Sequence, residues 1–323
     1  MRVMVTGGAG FIGSQLSKQL IARGDQVLAI DNFNDFYDPA LKRNNVREIE
    51  QLDHHSRFQL AEIDIRDAQA LEAAFSSFKP DAVVHLAAYA GVRPSIENPA
   101  LYGDVNLMGT IRLLEAMNRF GVKRLAFASS SSVYGSNKKV PFSESDAVDH
   151  PISPYAATKK AGELITHTYH ALHGFSVACL RFFTVYGPSQ RPDLAICKFC
   201  TMIERGEPIP VFGDGSTMRD YTYIDDILDG VTKALDWTAG EPKYDIFNLG
   251  ESHTVTLTEM IETIEQEMGQ KAVIRRMPMQ PGDVEKTYAD ISHSKDVLGY
   301  NPTTPFKEGI RKYIAWRKGI KHD

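Results

Sequence analysis

The sequence predicts an α/β protein: a doubly wound parallel sheet carrying a smaller, interleaved α/β C-terminal lobe. Three observations predict it. Through the first half, short β-branched or apolar runs alternate with segments of helical spacing. Some runs, AVVHLAA among them, are almost unbroken in their apolar character, as strands covered on both faces must be. After Arg181 the rhythm loosens and Pro/Gly clusters set in. Strand–helix alternation implies βαβ units with right-handed crossovers.

Taken in order, strands are expected at residues 2–6, 26–30, 58–62, 82–86, 124–128 and 176–181. Helical spacing covers 11–23, 68–76, 107–120 and 155–173. Shorter helices follow at 196–205, 225–239, 256–268 and 306–318, among turn clusters at 187–192, 206–215, 278–282 and 301–305. Residues 1–181 should therefore build the sheet domain, with 221–250 returning to it through a late strand at 244–249. Residues 182–323 should form mainly the second lobe, its loops reaching over the C-terminal sheet edge where open α/β folds bind ligands.

Composition excludes several classes. With 43% hydrophobic and 24% charged residues, 24 glycines and 16 prolines, the 323-residue chain is neither disordered nor fibrous. Its 36 basic and 41 acidic residues form no long run of one sign, so no electrostatic footprint for nucleic acid exists. Cys179, Cys197 and Cys200 cannot make a disulfide framework, which suits a reducing compartment. The C-x-x-C of ICKFCTMI reads as the apolar face of a helix rather than a redox or zinc pair. No apolar stretch approaches the ~20 residues of a bilayer span, and the N-terminus lacks a separate apolar leader. A soluble, cytoplasmic protein is expected. The histidines show no metal-ligand spacing, so no metal is expected.

The strand at 2–6 runs directly into Gly7-Gly8-Ala9-Gly10-Phe11-Ile12-Gly13 and a helix. Gly7, Gly10 and Gly13 give G-x-x-G-x-x-G in the strand–turn–helix setting that a dinucleotide fingerprint requires. Glycines let backbone approach a pyrophosphate, and the helix N-terminus supplies N–H donors. Phe11 and Ile12 face the sheet. This makes the sheet Rossmann-type. Asp31, followed by Asn32, closes the second strand at the offset of about 20 residues where a carboxylate accepts from ribose hydroxyls. It would repel a 2′-phosphate, and no arginine follows directly, which favours NAD over NADP. Asp64 and Ile65 end the third strand, where a side chain can meet adenine, while Asp67 could equally serve as a helix N-cap. Leu86, Ala87, Ala88 and Tyr89 end the fourth strand with mostly small residues beside the same ligand.

Tyr155 and Lys159 stand at i and i+4, one helical turn apart on one face. A nearby cation favours phenolate and makes tyrosine a usable acid/base. Upstream, Ser129-Ser130-Ser131-Ser132 follow a buried strand, where a hydroxyl can bridge substrate and tyrosine or merely satisfy backbone groups.

The glycine trio, Asp31, SSSSVYG, Y-x-x-x-K, RFFTVYGP and RDYTYIDD together resemble the extended short-chain dehydrogenase/reductases. Over essentially the whole chain the resemblance is to nucleotide-sugar 4-epimerases. AGVRPSIENP, GPSQRPDLAI and PMQPGDV look most like UDP-glucuronate 4-epimerases. The resemblance implies NAD as bound cofactor, a UDP-sugar substrate and a homodimer, with the helices at 107–120 and 155–173 paired across subunits. Tyr155 would be the acid/base and Lys159 its pKa-lowering partner and ribose ligand. Ser130, or Ser132, would be the hydroxyl bridge, and Asn106 would steady the active-site backbone. Arg219 and Asp283 would contact UDP through diphosphate and ribose. Gln280 stands where many epimerases carry a second diphosphate arginine; Arg275, Arg276 or Lys198 could substitute.

The implied reaction oxidises C4 to a ketone, turns the keto sugar and returns hydride to its other face. A uronate adds a carboxylate at C6, for which arginine with a hydroxyl neighbour is the natural binder. Arg191 and Thr184 follow the sixth strand, and Arg93 is a further candidate. Related dehydratases and decarboxylases carry a carboxylate just before Val-Tyr-Gly, where this chain has Ser132. Simple epimerisation is therefore expected, with UDP-glucose/UDP-galactose as the alternative substrates; a decarboxylase or a non-catalytic NAD-binding module is less favoured.

Overall fold

The computed structural model describes residues 1–278 and 285–320. Its strands are β1 (Arg2–Thr6), β2 (Gln26–Asp31), β3 (Phe58–Glu62), β4 (Ala82–His85), β5 (Arg124–Ser130), β6 (Ser176–Phe182), β7 (Thr184–Tyr186), β8 (Ile209–Phe212), β9 (Met218–Tyr223), β10 (Tyr244–Leu249), β11 (Thr254–Thr256) and β12 (Ile274–Met277). Seven of them form one sheet in the order β10-β6-β5-β4-β1-β2-β3. Every neighbouring pair in it is parallel. Strand order reverses between β1 and β4, and a crevice opens there beyond the carboxyl ends, as topology requires.

Both faces of the sheet are covered. Along β1, Val3 and Val5 pack toward the helices Phe11–Arg23 and Ile224–Trp237, whereas Met4 packs toward Ala68–Phe78 and Gly109–Arg119. All three are fully buried, so the strand reads as continuously apolar. The late strand β10 lies beside β6, Leu249 paired with Phe182, which returns the chain after residue 182 to the main sheet. Two smaller sheets, β11-β9-β7 and β12-β8, belong to the second half. Their short strands sit among turn clusters, which explains why periodicity did not reveal them.

Local signals set the helix that carries the chemistry. Ser153 accepts from the Ala156 N–H, Pro154 occupies the first turn, and Gly174 ends the helix Pro154–His173 at φ 66°. Tyr155 is thus fixed in the first turn. Among the helices that differ from expectation, two bear on the site. The helix Pro39–Leu52 went unrecognised although Asp38 caps it from the Ala40 N–H and Pro39 follows. The segment expected as one helix over 107–120 begins as a π-helical stretch, Gly103–Met108, before the α-helix Gly109–Arg119. Cys197 and Cys200 are buried in the helix Ala195–Glu204, and all three thiols are free.

Candidate active site

A cleft of about 370 Å³ lies at the strand-order reversal, within the range of small-molecule sites. Gly7, Gly10, Phe11, Ile12, Gly13, Asp31, Asn32, Asp64, Ile65 and the run Leu86 to Tyr89 line one end of it. Ser130, Tyr155, Lys159, Thr184 and Arg191 line the other.

The glycine loop makes a cradle that side chains would fill. Gly7 adopts φ +68°, and a Cβ there would stand 2.9 Å from the Ala87 nitrogen. A Cβ on Gly13 would collide with the Gly7 carbonyl. Gly10 borders the cleft itself. Backbone alone therefore forms the floor, and the helix N-terminus opens onto it, a geometry that fits a pyrophosphate.

Asp31 is buried and accepts from the N–H groups of Ala9 (3.2 Å) and Phe33 (2.9 Å). The Lys42 ammonium lies 3.6 Å from it. Asp64 is held bidentately by Arg66, at 2.9 and 2.8 Å, and accepts from Asn32 at 2.9 Å. The Arg66 hydrogen bonds hold its carboxyl down at about 2. Asp67 caps the following helix through the Ala70 N–H.

At the chemical end, Ser130 and the Tyr155 phenol border the cleft together, and the Ser130 hydroxyl acts to lower the phenol's pKa. Ser130 Oγ is also 3.0 Å from Ser132 Oγ, so Ser132 backs Ser130 rather than lining the cleft. Ser129 is committed elsewhere: it donates to Glu163 at 2.6 Å. Lys159 is buried and donates to the Ala128 carbonyl at 2.7 Å, and burial pushes its pKa down to about 8. Burial raises the Tyr155 pKa, opposed by the Ser130 hydrogen bond and the Arg191 charge.

Asn106 clasps the Tyr89 backbone. It accepts from the Tyr89 N–H at 2.8 Å and donates to the Tyr89 carbonyl at 3.0 Å. Thr184 is half-buried on β7. Arg191 is gripped by Asp193 through Nε (2.9 Å) and Nη2 (2.8 Å), with its guanidinium 5.3 Å from the Phe36 ring centre.

A second cleft of about 250 Å³ adjoins, lined by Arg93, Asp193, Lys198, Phe212 and Arg219 among others. Arg93 stands over the Phe212 ring at 5.2 Å. Arg219 donates to the Met218 carbonyl at 2.8 Å. Of the alternatives for the missing arginine, Lys198 faces this cleft, whereas Arg276 donates to the Gly213 carbonyl at 3.3 Å. Asp283 and Gln280 lie outside the described residues.

Sequence reasoning missed Asn34, Phe36, Tyr37 and Lys42, which border the first cleft. Their signal was the Asp-Pro start of the unrecognised helix. It also missed the buried Glu163–Arg181 pair behind the serines (2.9 Å), although Glu163 follows Lys159 by one helical turn.

A dinucleotide cradle at the sheet crevice, a Ser–Tyr–Lys group beside it and a cationic second cleft define an extended short-chain dehydrogenase/reductase built for nucleotide sugars. The family profile described as GDP-mannose 4,6 dehydratase matches residues 4–313, and the chain belongs to that family. A UDP-glucuronate 4-epimerase of Thermodesulfobacterium geofontis is 43% identical over 316 residues, covering 98% of this chain and 95% of that one. A solved UDP-glucuronic acid 4-epimerase from Bacillus cereus, in complex with UDP-glucuronic acid and NAD, superposes with a TM-score of 0.92 at 35% identity, covering 99% and 100% of the two chains. The Thermotoga maritima UDP-glucose 4-epimerase, solved with UDP-glucose, gives 0.90 at 31% identity, covering 99% and 100%.

Proposed function

We propose that this protein is an NAD-dependent isomerase that interconverts UDP-glucuronate and UDP-galacturonate by epimerisation at C4. The observation that carries the proposal is Arg191, whose guanidinium enters the cleft that holds Tyr155 and whose charge reaches the phenol. An arginine is the natural partner for a sugar carboxylate there.

The glycine cradle, Asp31 and the run Leu86 to Tyr89 would hold NAD. When bound, NAD supplies the acceptor and donor of the C4 hydride, so the cycle is redox-neutral. Tyr155 takes the proton of the 4-hydroxyl on oxidation and returns it on reduction, with Ser130 as the hydroxyl bridge. Lys159 would meet the cofactor ribose from its post on the Ala128 carbonyl. Arg191 receives the C6 carboxylate on the edge that Asp193 leaves open, and Thr184 adds a hydroxyl. Holding that carboxylate matters because a 4-keto uronate is a β-keto acid, and an ion pair disfavours loss of CO2. Arg93, Lys198 and Arg219 would receive the nucleotide diphosphate in the second cleft, and Asp283 the uridine ribose.

The carboxylates bordering the first cleft, Asp31 and Asp64, sit at its glycine-loop end. Among the described residues none borders Tyr155, which disfavours a dehydratase or decarboxylase needing a further acid/base. UDP-glucose/UDP-galactose remains a second reading on the likeness to the Thermotoga maritima enzyme. The test is incubation of purified enzyme with UDP-glucuronate and UDP-glucose side by side. UDP-galacturonate should form. Conversion of UDP-glucose alone would overturn the uronate assignment.

The assembly is proposed to be a homodimer, since Leu164 (57% exposed) and Leu172 (76%) point outward from the helix Pro154–His173. The proposed compartment is the cytoplasm, which suits three free thiols. Among the described residues no helix is long and apolar enough to cross a membrane.

A further inference from the structure

Behind the cleft runs a chain of buried side-chain hydrogen bonds that the chemistry above does not use. The Ala87 N–H donates to Thr6 Oγ1 at 3.2 Å, and that hydroxyl lies 2.7 Å from His85 Nδ1. On the other side of the imidazole, Nε2 lies 2.9 Å from Thr110 Oγ1, which donates to the Asn106 carbonyl at 2.6 Å. The Asn106 side chain then donates to Thr158 Oγ1 at 3.1 Å, and Thr158 Oγ1 donates to the Tyr155 carbonyl at 2.8 Å. None of Thr6, His85, Asn106, Thr110 and Thr158 is more than 9% exposed.

Proton accounting fixes the direction of every link. The Thr110 hydroxyl has one hydrogen, and the 2.6 Å contact to the Asn106 carbonyl claims it. His85 Nε2 must therefore carry a hydrogen and donate to Thr110. A neutral ring that carries its hydrogen on Nε2 leaves Nδ1 bare, so Nδ1 accepts from Thr6 Oγ1, which itself accepts from the Ala87 N–H. The opposite tautomer would take the Thr110 hydrogen and set two oxygens 2.6 Å apart with no proton between them. A charged imidazole is disfavoured by burial and by the neighbouring Lys159 charge.

We infer that His85 is a positioning residue, held as the neutral Nε2–H tautomer, that ties the cofactor floor at Ala87 to the helix bearing Tyr155. Its two threonine partners stand at the two ends. Thr6 closes β1 just before the glycine loop, and Gly7 packs against the Leu86 and Ala87 backbone. Thr110 holds the Asn106 carbonyl, while the Asn106 side chain clamps Tyr89 and reaches Thr158. The floor and the phenol are thereby set relative to each other. Burial, with the Lys159 charge, pushes the His85 pKa down to about 3, so the link persists across the working range.

Two measurements test this on the NAD-loaded enzyme. The first is long-range proton–nitrogen correlation with 15N-histidine, the His85 signals being assigned by their loss in His85→Gln. The Nε2–H tautomer should persist unchanged between about pH 6 and pH 9. An Nδ1–H tautomer or a titrating ring overturns the inference, and this measurement needs no turnover, so it stands apart from the substrate assignment. The second compares Thr110→Val with Thr110→Ser. Removing the hydroxyl should lower kcat about tenfold, leave KM for the nucleotide sugar unchanged and hasten NAD loss on gel filtration, while serine restores all three. A Thr110→Val enzyme that melts earlier yet keeps its kcat and its NAD would show a merely structural link and refute the positioning role.

Discussion

Glu163 and Arg181 offer the sharpest test of how the serines are held. Glu163 is fully buried and accepts from Arg181 Nε (2.9 Å) and Nη2 (3.0 Å), from Ser129 (2.6 Å) and from Lys160 (3.2 Å). Arg181 is 1% exposed and donates its remaining arm to the Tyr134 hydroxyl at 3.0 Å. Glu163→Met leaves that guanidinium buried without a counter-charge, which costs about 3–5 kcal/mol and, for a chain of this length, lowers Tm by roughly 4–8 °C. Arg181→Met should cost somewhat less, because Lys160 still faces the carboxylate at 3.2 Å. With both changed, no buried charge is left, and much of the loss should return. Thermal unfolding of the four proteins with saturating NAD closes the cycle. Losses that simply add, to within about 0.5 kcal/mol, would refute the pairing argument. The pH dependence has a fixed sign. Burial pushes the Glu163 carboxyl up, but Arg181 outweighs it and holds the group below its usual 4.5. A depressed carboxyl stabilises above its unfolded value and loses that contribution as pH falls through the folded one. The stability gap between the native protein and Glu163→Met should therefore narrow below that usual value.

Three further outcomes follow from the cleft. Tyr155→Phe keeps the ring packing but removes the proton carrier, so turnover should vanish while NAD stays bound; residual epimerisation near the native rate would exclude Tyr155 as the acid/base. Gly13→Ala drives a methyl into the Gly7 carbonyl, and the purified protein should emerge without NAD, judged by absorbance after denaturation; NAD retained at the native level would refute the steric argument. Arg191→Met should raise KM for UDP-glucuronate about 10- to 100-fold, the worth of one charged hydrogen-bond partner, with inhibition by UDP unchanged. Because the Arg191 charge lowers the Tyr155 pKa, its removal raises that pKa, and the rise of kcat with pH should move to higher pH; an unshifted profile would contradict the coupling.

Sheet and cofactor cradle were legible because their signals are local and dense. A strand running into Gly7, Gly10 and Gly13 constrains backbone position directly, and Asp31 follows at a spacing set by one βαβ unit. The segment from Asn32 to Lys42 was opaque for the opposite reason: its residues face the cleft through tertiary placement, and only the Asp38-Pro39 start announced the helix. Y-x-x-x-K located Tyr155 and Lys159, but spacing along a helix cannot reveal that Lys159 turns toward the Ala128 carbonyl. Nor could four consecutive serines be told apart. Ser129 is withdrawn by Glu163, a residue 34 positions away, and that leaves Ser130 beside the phenol.

The two clefts meet at one ion pair, and in the proposed reaction that placement would let a sugar turn while its nucleotide stays. Arg191 borders the cleft with the phenol, and Asp193 borders the cationic one. Their hydrogen bonds make a partition that belongs to both. Binding energy gathered on the nucleotide side is insensitive to the configuration at C4, so it can hold the substrate through both half-reactions. The lining of the Tyr155 cleft includes the apolar side chains of Ala128, Phe182, Phe183 and Val185, surfaces that would grip neither face of a ring. On the proposed assignment, a keto sugar tethered at its nucleotide and steered at its carboxylate by Arg191 would then present either face to the same phenol.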